Sequence, residues 1–386
     1  MKQTSNNLAL RVPFLCLFAV FFACLSSLKA QDPSLSQFFA NRMYLNPAFT
    51  GMEEGLQVTL SSRNQWYAAD KGYSFVTAAA ELQEPCLNSG FGIMITHARE
   101  GLAPMKTTAG SLSYAFMPHN AFSNFHGGIQ AGFIQKRLDW SSLTFSDQLD
   151  PVFGKIYDSA MASGNESVSV FDVAAGFIYR WDSNIKSNAK TQKSFRSHIG
   201  IAMHHFVSLW GEGPDASILK TGAEIPGRIT IHGGTIIPLT FLRGVNNNLV
   251  LSPNFRFESQ GAQPANLKKS LTHFSGGLYV VFRKQFTAGA LYHTRAPFAG
   301  AKHTNSVTGS IGFTNQDGKA HKNPFYVGFS VDVNTSGLGL RSNNAYEFSY
   351  RYTFLGLKTY CDRKHAPTKG KRGKRNKPLP CPVFEY

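Results

Sequence analysis

The stretch Ala345-Tyr346-Glu347-Phe348-Ser349-Tyr350-Arg351-Tyr352-Thr353-Phe354 alternates without a break. Tyr346, Phe348, Tyr350, Tyr352 and Phe354 share one face, and Glu347, Ser349, Arg351 and Thr353 share the other. Successive side chains of a strand point to opposite sides, so this period of two describes a strand with one apolar and one polar face. Residues 249–258 repeat the pattern, with Leu249, Leu251, Pro253, Phe255 and Phe257 set against Val250, Ser252, Asn254, Arg256 and Glu258. Residues 325–334 do so again, with Asp332 on the polar side. Strands of soluble proteins usually run ~5–6 residues. A tilted membrane-spanning strand needs ~9–11, with apolar residues toward lipid and polar residues or glycine toward the lumen. A soluble β-protein also alternates, but its apolar face would have to meet a second sheet. Here the aromatics gather at the ends of the windows, where membrane interfaces would lie.

Outward from these stretches the chain reads as a succession of similar windows: 56–66, 73–82, 90–98, 107–117, 126–136, 168–180, 198–207, 228–241, 249–258, 273–283, 285–294, 306–314, 325–334 and 345–354. The fold class is all-β, a transmembrane antiparallel β-barrel of about 14 strands with both termini periplasmic. The even count suits a single-chain bacterial barrel, and connections should alternate short and long. Short turns are expected at 83–89, 118–125, 242–248 and Lys284. Long outer loops are expected at 137–167 and 208–227, and 182–197 reads as a longer periplasmic connection.

Composition agrees. Of 386 residues 42% are hydrophobic and only 16% charged, which excludes disorder over most of the length. Thirty-two Phe, 14 Tyr and 35 Gly stand where a helical enzyme would carry Leu, Ala, Glu and Lys. An apolar run near helix-spanning length occurs at the N-terminus alone. That N-terminus reads as a signal peptide, residues 1–30. Lys2 and Arg11 are its basic region, 12–25 its apolar core, and Leu28-Lys29-Ala30 precede the cleavage point before Gln31. A lipoprotein reading would need Cys24, but Phe21-Phe22-Ala23 is a poor approach to it.

Residues 31–55 form a periplasmic N-terminal segment before the barrel, which spans 56–354. Ser34 or Ser36 suits the cap of a short helix over 35–41, and Asn46-Pro47 reads as a turn. Phe38, Phe39, Tyr44 and Phe49 make this segment too aromatic to remain solvated, so it should pack at the barrel mouth. Residues 355–386 form a basic periplasmic tail. From 361 onward it carries eight Lys or Arg against Asp362 and Glu385, and the net charge of the whole chain is +16.

The residues resemble a known family. Gln31-Asp32-Pro33, Ser36-Gln37-Phe38, Leu45-Asn46-Pro47-Ala48-Phe49-Thr50-Gly51 and Arg63-Asn64-Gln65-Trp66 look like the start of the PorP/SprF family of Bacteroidetes outer-membrane proteins. Phe171-Asp172-Val173-Ala174-Ala175-Gly176, His198-Ile199-Gly200-Ile201-Ala202, Gly328-Phe329-Ser330-Val331-Asp332 and Tyr346-Glu347-Phe348-Ser349-Tyr350-Arg351-Tyr352 continue the likeness to the end of the barrel. The Asn-Pro-Ala-Phe-x-Gly block is its most specific part. The resemblance implies a type IX secretion system component that helps export secreted adhesins or anchor them at the surface. It implies no catalytic residues. The tail departs from it, since family members often stop soon after the last aromatic strand.

Candidate sites follow from the faces and the ends. Arg63, Arg256, Glu258, Asp332, Glu347 and Arg351 belong to the lumen face, where they would tune ion selectivity in a porin or hold an inner segment in a plugged barrel. Lys369, Lys371, Arg372, Lys374, Arg375 and Lys377 make the tail a candidate surface for acidic proteins, anionic lipid heads or peptidoglycan, beside the plainer reading of a solvated tail. The signal peptide argues against nucleic acid as a partner. Cys86, Cys361 and Cys381 survive cleavage and share one side of the barrel. A disulfide from Cys86 would pin the tail, one between the tail cysteines would close a local loop, and three free thiols are the alternative. His204 and His205 point to opposite faces and cannot chelate one metal. His97, His119, His126, His232, His293 and His303 show no paired metal spacing and read as scattered polar lumen or loop residues, and no Gly-x-Ser-x-Gly elbow is present. Asp158-Ser159-Ala160 resembles a Bacteroidetes O-glycosylation sequence, or is simply a polar loop.

The expectation is a non-enzymatic barrel without cofactor. Its partners would be the outer-membrane lipid bilayer, type IX secretion system lipoproteins or periplasmic linker proteins, and the C-terminal region of a secreted adhesin. A general porin is the alternative.

Overall fold

The computed structural model describes residues 32–66, 72–84, 87–101, 105–118, 124–140, 143–150, 152–159, 167–185, 193–210, 213–218, 220, 222, 224–239, 249–261, 271–296, 304–315, 323–335 and 344–355. In chain order its strands are β1 (Leu56–Gln65), β2 (Tyr73–Glu84), β3 (Ser89–Glu100), β4 (Met105–Phe116), β5 (Asn124–Leu138), β6 (Leu149–Asp150), β7 (Gly154–Lys155) and β8 (Ser167–Ile185). They continue as β9 (Lys193–His204), β10 (Arg228–Pro238), β11 (Leu249–Gln260), β12 (Leu271–Phe282), β13 (Phe286–Ala296), β14 (Thr304–Thr314), β15 (Phe325–Asn334) and β16 (Ala345–Phe354). Among the described residues, all but β6 and β7 close into one antiparallel barrel, each strand pairing with its sequence neighbours and β1 with β16. The seam runs in continuous register from Leu56↔Phe354 to Gln65↔Ala345. Each expected window overlaps one barrel strand, with 198–207 and 228–241 running past the ends of β9 and β10.

The barrel is apolar outside and polar inside. Leu112 is 66% exposed while its neighbour Ser113 is 5% exposed. Along β16, Glu347, Ser349, Arg351 and Thr353 are buried and Tyr346, Phe348 and Phe354 are exposed. Water would not tolerate so much bare apolar strand surface, but lipid does, and the closed sheet leaves no unpaired edge. At the rim where β1 begins and β16 ends, exposed Phe91, Phe116, Phe125, Trp181, Phe282, Phe286 and Phe354 form an aromatic girdle. We refer to this as the lower rim. The upper rim, where β1 ends, carries the two longest connections.

Three local expectations change. No helix forms over 35–41; the helix is Arg42–Leu45, followed by the 3-10 turn Pro47–Phe49. Ser34 and Ser36 do not cap it, because their hydroxyls are drawn to His273 and Asp332 on the wall. The connection expected over 182–197 narrows to 186–192, since β8 and β9 pair as far as Ile185↔Lys193. The window 198–207 overruns. His205 takes a left-handed backbone, φ 56°, and the chain turns into the helix Phe206–Trp210. The signal peptide, the three mature cysteines and the basic tail lie outside the described residues.

Candidate functional site: a filled lumen

The segment from Pro33 to Gly55 lies inside the barrel. Its Leu35, Phe38, Phe39, Met43, Phe49 and Met52 are each less than 5% exposed. Its contacts extend well beyond one mouth. They run from wall residues near the upper rim to wall residues at the lower rim.

The upper contacts centre on Arg63, which faces Glu347 directly across the seam. Its guanidinium pairs with Asp332 at 2.6 Å and with Glu347 at 3.2 Å. It also donates to the Ser36 hydroxyl at 2.6 Å. Glu347 accepts the backbone N–H groups of Ser36 and Gln37 at 2.7 and 2.9 Å. The Gln37 amide reaches the Ser330 hydroxyl at 3.0 Å. Beside this, Arg256 donates to the Leu35 carbonyl at 3.0 Å and to the Ser34 hydroxyl at 2.9 Å, and its guanidinium lies over the Phe38 ring.

A hydrogen-bonded belt joins these groups across the wall. Glu258 meets His273 Nδ1 at 3.3 Å, and His273 Nε2 meets Ser275 at 3.2 Å. Ser275 meets His293 Nδ1 at 2.8 Å, His293 Nε2 meets Thr308 at 2.7 Å, and Thr308 donates to Asp332. Each member comes from an inward position on β11 to β15. Charges and imidazoles buried this deeply persist only where partners replace the lost water.

At mid-height the segment lies against glycine. Asn46 donates to the backbone carbonyls of Phe177 and Ile201 at 3.2 and 3.1 Å and meets His232 at 3.0 Å. Its carbonyl oxygen accepts from the Ala48 N–H at 2.9 Å and so shapes the 3-10 turn. Gly128 and Gly176 are register partners on β5 and β8. A Cβ at Gly128 would stand 2.4 Å from Ala48 N, and one at Gly176 would stand 2.0 Å from Asn46 Oδ1. Absent side chains at these two positions admit the turn. Phe38, Phe39, Leu45, Phe49 and Met52 then form one apolar cluster with wall residues Met117, Ile178, Tyr279, Leu291 and Tyr326.

At the lower end Arg42 pairs with Glu53 and donates to Gln57 at 3.2 Å, and Arg351 stands 3.5 Å from Glu53. Gly51, at φ 65°, donates its N–H to Glu81 at 2.7 Å. Gln57 donates to the other Glu81 oxygen at 2.6 Å.

The connection after β9 folds over the upper wall. His205 meets Asp172 at 2.9 Å. Buried Ala216 packs on Ile134 and Val170, two inward residues of β5 and β8. Asp215 accepts from the Ser217 hydroxyl and N–H, which holds its carboxyl below the usual carboxylate range. The β6–β7 hairpin in the other long loop leaves Val152 and Phe153 exposed, and the Ser159 hydroxyl donates to Asp147.

Thus all six expected lumen charges are buried and inward. Arg63, Asp332 and Glu347 form one network, Arg256 and Glu258 sit beside it, and Arg351 joins the lower contacts. His293, read as one of several scattered polar lumen or loop histidines, is a member of the belt, and so is His273, which the sequence did not single out. Ser36, Gln37, Asn46, Glu53 and Glu81 went unremarked as site residues. For the first four the signal was the density of polar side chains in an aromatic segment; Glu81 is a charge on the inward face of β2. Among the described residues no three of His, Cys, Asp and Glu are grouped to hold a metal ion.

The family model described as "Type IX secretion system membrane protein PorP/SprF" matches residues 27–352. No curated protein matches the chain. Among solved structures, the outer membrane protein Omp33 of Acinetobacter baumannii is 9% identical over 79% of this chain and 100% of its own, with a TM-score of 0.38. The toluene transporter TodX of Pseudomonas putida is 10% identical over 85% of this chain and 95% of its own, TM-score 0.41. A FadL homologue from Pseudomonas aeruginosa is 11% identical over 80% and 92%, TM-score 0.39.

Proposed function

Since the chain belongs to the PorP/SprF family of type IX secretion system membrane proteins, we propose that this outer-membrane barrel serves the export or surface anchoring of secreted adhesins as a docking platform. The observation that carries this is the filled lumen. A solute porin needs a continuous wet path. Here residues 33–55 cross that path, fixed by ion pairs near both rims and by an apolar cluster between them. Binding is then the work of the faces of the barrel.

In this reading the upper rim, with the long loops, faces outward and the lower rim faces the periplasm. The loops around 143–159 and 205–227 receive the C-terminal region of an adhesin. The lower rim and the tail with Lys369, Lys371, Arg372, Lys374, Arg375 and Lys377 meet secretion-system lipoproteins or periplasmic linkers. A disulfide from Cys86, in the short connection between β2 and β3, to Cys361 or Cys381 would tie the tail to that rim. The barrel acts as a binding protein and not as an enzyme.

The test is purification of a loop-tagged chain from native outer membranes, with conductance recorded on the same material. Secretion-system lipoproteins or one large adhesin in the eluate, with a closed barrel, are expected. A barrel recovered alone with a steady open current would overturn the proposal in favour of a porin.

A further inference from the structure

We infer that the chain threads its own barrel, so that its mature N-terminal end opens on the loop-bearing face, opposite the rim at which β1 begins. The inference rests on the orientation proposed above only for naming that face the outer one. The threading itself rests on the order of contacts along the lumen.

Gly55 stands at the lower rim. A Cβ there would lie 2.5 Å from the carbonyl of Phe354, the last residue of β16. Thr50 and Gly51 are still low, against Gly90 near the start of β3 and Glu81 near the end of β2. Asn46 and Pro47 are at mid-height, against Gly128 and Gly176. Ser36 and Gln37 are high, on Glu347 and Asp332, which lie near the upper ends of β16 and β15. Pro33 is held there as well. Its carbonyl accepts from the Tyr44 hydroxyl at 2.7 Å, and Tyr44 packs on Phe75 and under Arg228, both at upper strand ends. Read from Gly55 back to Pro33, the segment rises from the lower rim to Tyr44, dips where Arg42 pairs with Glu53 and Phe39 packs on Tyr279, and ends among the upper wall residues that hold Ser36, Leu35 and Ser34. Below these upper contacts the segment's own Phe38, Phe39 and Phe49 pack against the wall.

The upper contacts hold both kinds of backbone group near the end of the segment: Glu347 accepts two successive N–H groups, from Ser36 and Gln37, while Arg256 donates to the carbonyl of Leu35. The outer face therefore gains an element that a lower-mouth plug would not supply. The start of the segment, held by Arg256 and Asp332, lies at the same end of the barrel as the loop whose Ala216 packs on β5 and β8. A protein partner arriving at that face meets the end and the loop together.

The experiment places one short epitope in the full-length chain at three sites in turn: between Asp32 and Pro33, after Val152 in the β6–β7 hairpin, and at Lys284 in the lower turn. Antibody binding is compared on intact and permeabilised cells. The N-terminal and hairpin epitopes are expected to bind on intact cells to within about twofold of each other, and the Lys284 epitope after permeabilisation only. An N-terminal epitope that sides with Lys284 overturns the threading, whichever face is outward. A hairpin epitope hidden on intact cells, with Lys284 exposed, overturns the orientation, and the threading then stands or falls on whether the N-terminal epitope still sides with the hairpin. Should an insertion prevent assembly, Ser34→Cys in a background of Cys86→Ser, Cys361→Ser and Cys381→Ser gives the same comparison with a membrane-impermeant maleimide.

Discussion

Replacing Arg63 by Met should loosen the upper end of the inner segment and leave its lower end in place. The guanidinium serves Asp332 at 2.6 Å, Glu347 at 3.2 Å and the Ser36 hydroxyl at 2.6 Å, all largely buried. Removing one member of a buried ionic network leaves the others uncompensated and typically costs about 3–5 kcal/mol. At about 1.4 kcal/mol per factor of ten, local opening should rise by on the order of a hundred- to a few-thousand-fold. The assay is amide exchange in detergent. The Ser36 and Gln37 N–H groups, which donate to Glu347, report the upper contacts, and the Gly51 N–H, which donates to Glu81, reports the lower ones. Ser36 and Gln37 should exchange faster while Gly51 stays within about threefold. The triple variant Arg63→Met, Asp332→Asn, Glu347→Gln removes the stranded charges. It should recover most of the loss, falling short by about 1–3 kcal/mol for an N–H left without its acceptor. Unchanged exchange at Ser36 and Gln37 in the single variant would refute the reasoning. An equal rise at Gly51 would show global destabilisation instead.

Three further outcomes are expected. Gly128→Val should lower the thermal midpoint of the folded barrel, by overpacking worth about 1–3 kcal/mol, because its Cβ meets Pro47 and Ala48 backbone at 2.4–2.5 Å; Gly309→Ala, with nothing within 4 Å, should stay within about 0.5 kcal/mol. Ile95→Arg, on the exposed face midway along β3, should cost about 2–4 kcal/mol in lipid refolding titrations. The turn built on Asp215 should resist protease unchanged from pH 7 down to about pH 4, because its folded carboxyl lies below the ordinary value of 3.8. The stabilisation is present above that ordinary value and is lost only as pH falls through the lowered one, whereas Asp215→Asn should open the turn at every pH.

The alternation from Tyr346 to Phe354 made the strand, its two faces and the membrane setting readable, because period two and strand length are local properties. The inward charges were readable for the same reason. What they bind was not. Glu258, His273, Ser275, His293, Thr308 and Asp332 form a belt only because five strands stand in a particular register, and registers are settled by pairing over long separations. The path of residues 33–55 was hidden by a competing local signal. Ser34 and Ser36 before an apolar run resemble a helix cap, but Asp332 and Glu347 on the wall offer the Ser36 hydroxyl and the Ser36 and Gln37 amides stronger acceptors, and Ser34 is held by His273 and Arg256. The turn Asn46-Pro47-Ala48 was legible, and its partners Gly128 and Gly176 were not, since nothing local separates a glycine that admits a chain from one that faces empty lumen.

The inner segment and the closure of the barrel are coupled. Arg63 belongs to β1 and Glu347 to β16, so their ion pair crosses the seam that turns an open sheet into a cylinder. The same two side chains hold Ser36 and Gln37. Lower down, Arg351 of β16 stands beside Glu53 of the segment, which Arg42 also pairs. Without the segment Arg63 and Glu347 would still pair across the seam, but Glu347 would lose two backbone N–H donors and Arg351 its contact with Glu53, which weakens β16 beside the seam. A barrel emptied of residues 33–55 is therefore expected to lose its seam before it becomes a stable channel. The reading is checked in the Arg63→Met variant, where exchange at Ser61 and Ser349, partners in mid-seam, should rise with Ser36. If the seam amides stay protected while Ser36 opens, the segment is a separable plug and the coupling is absent.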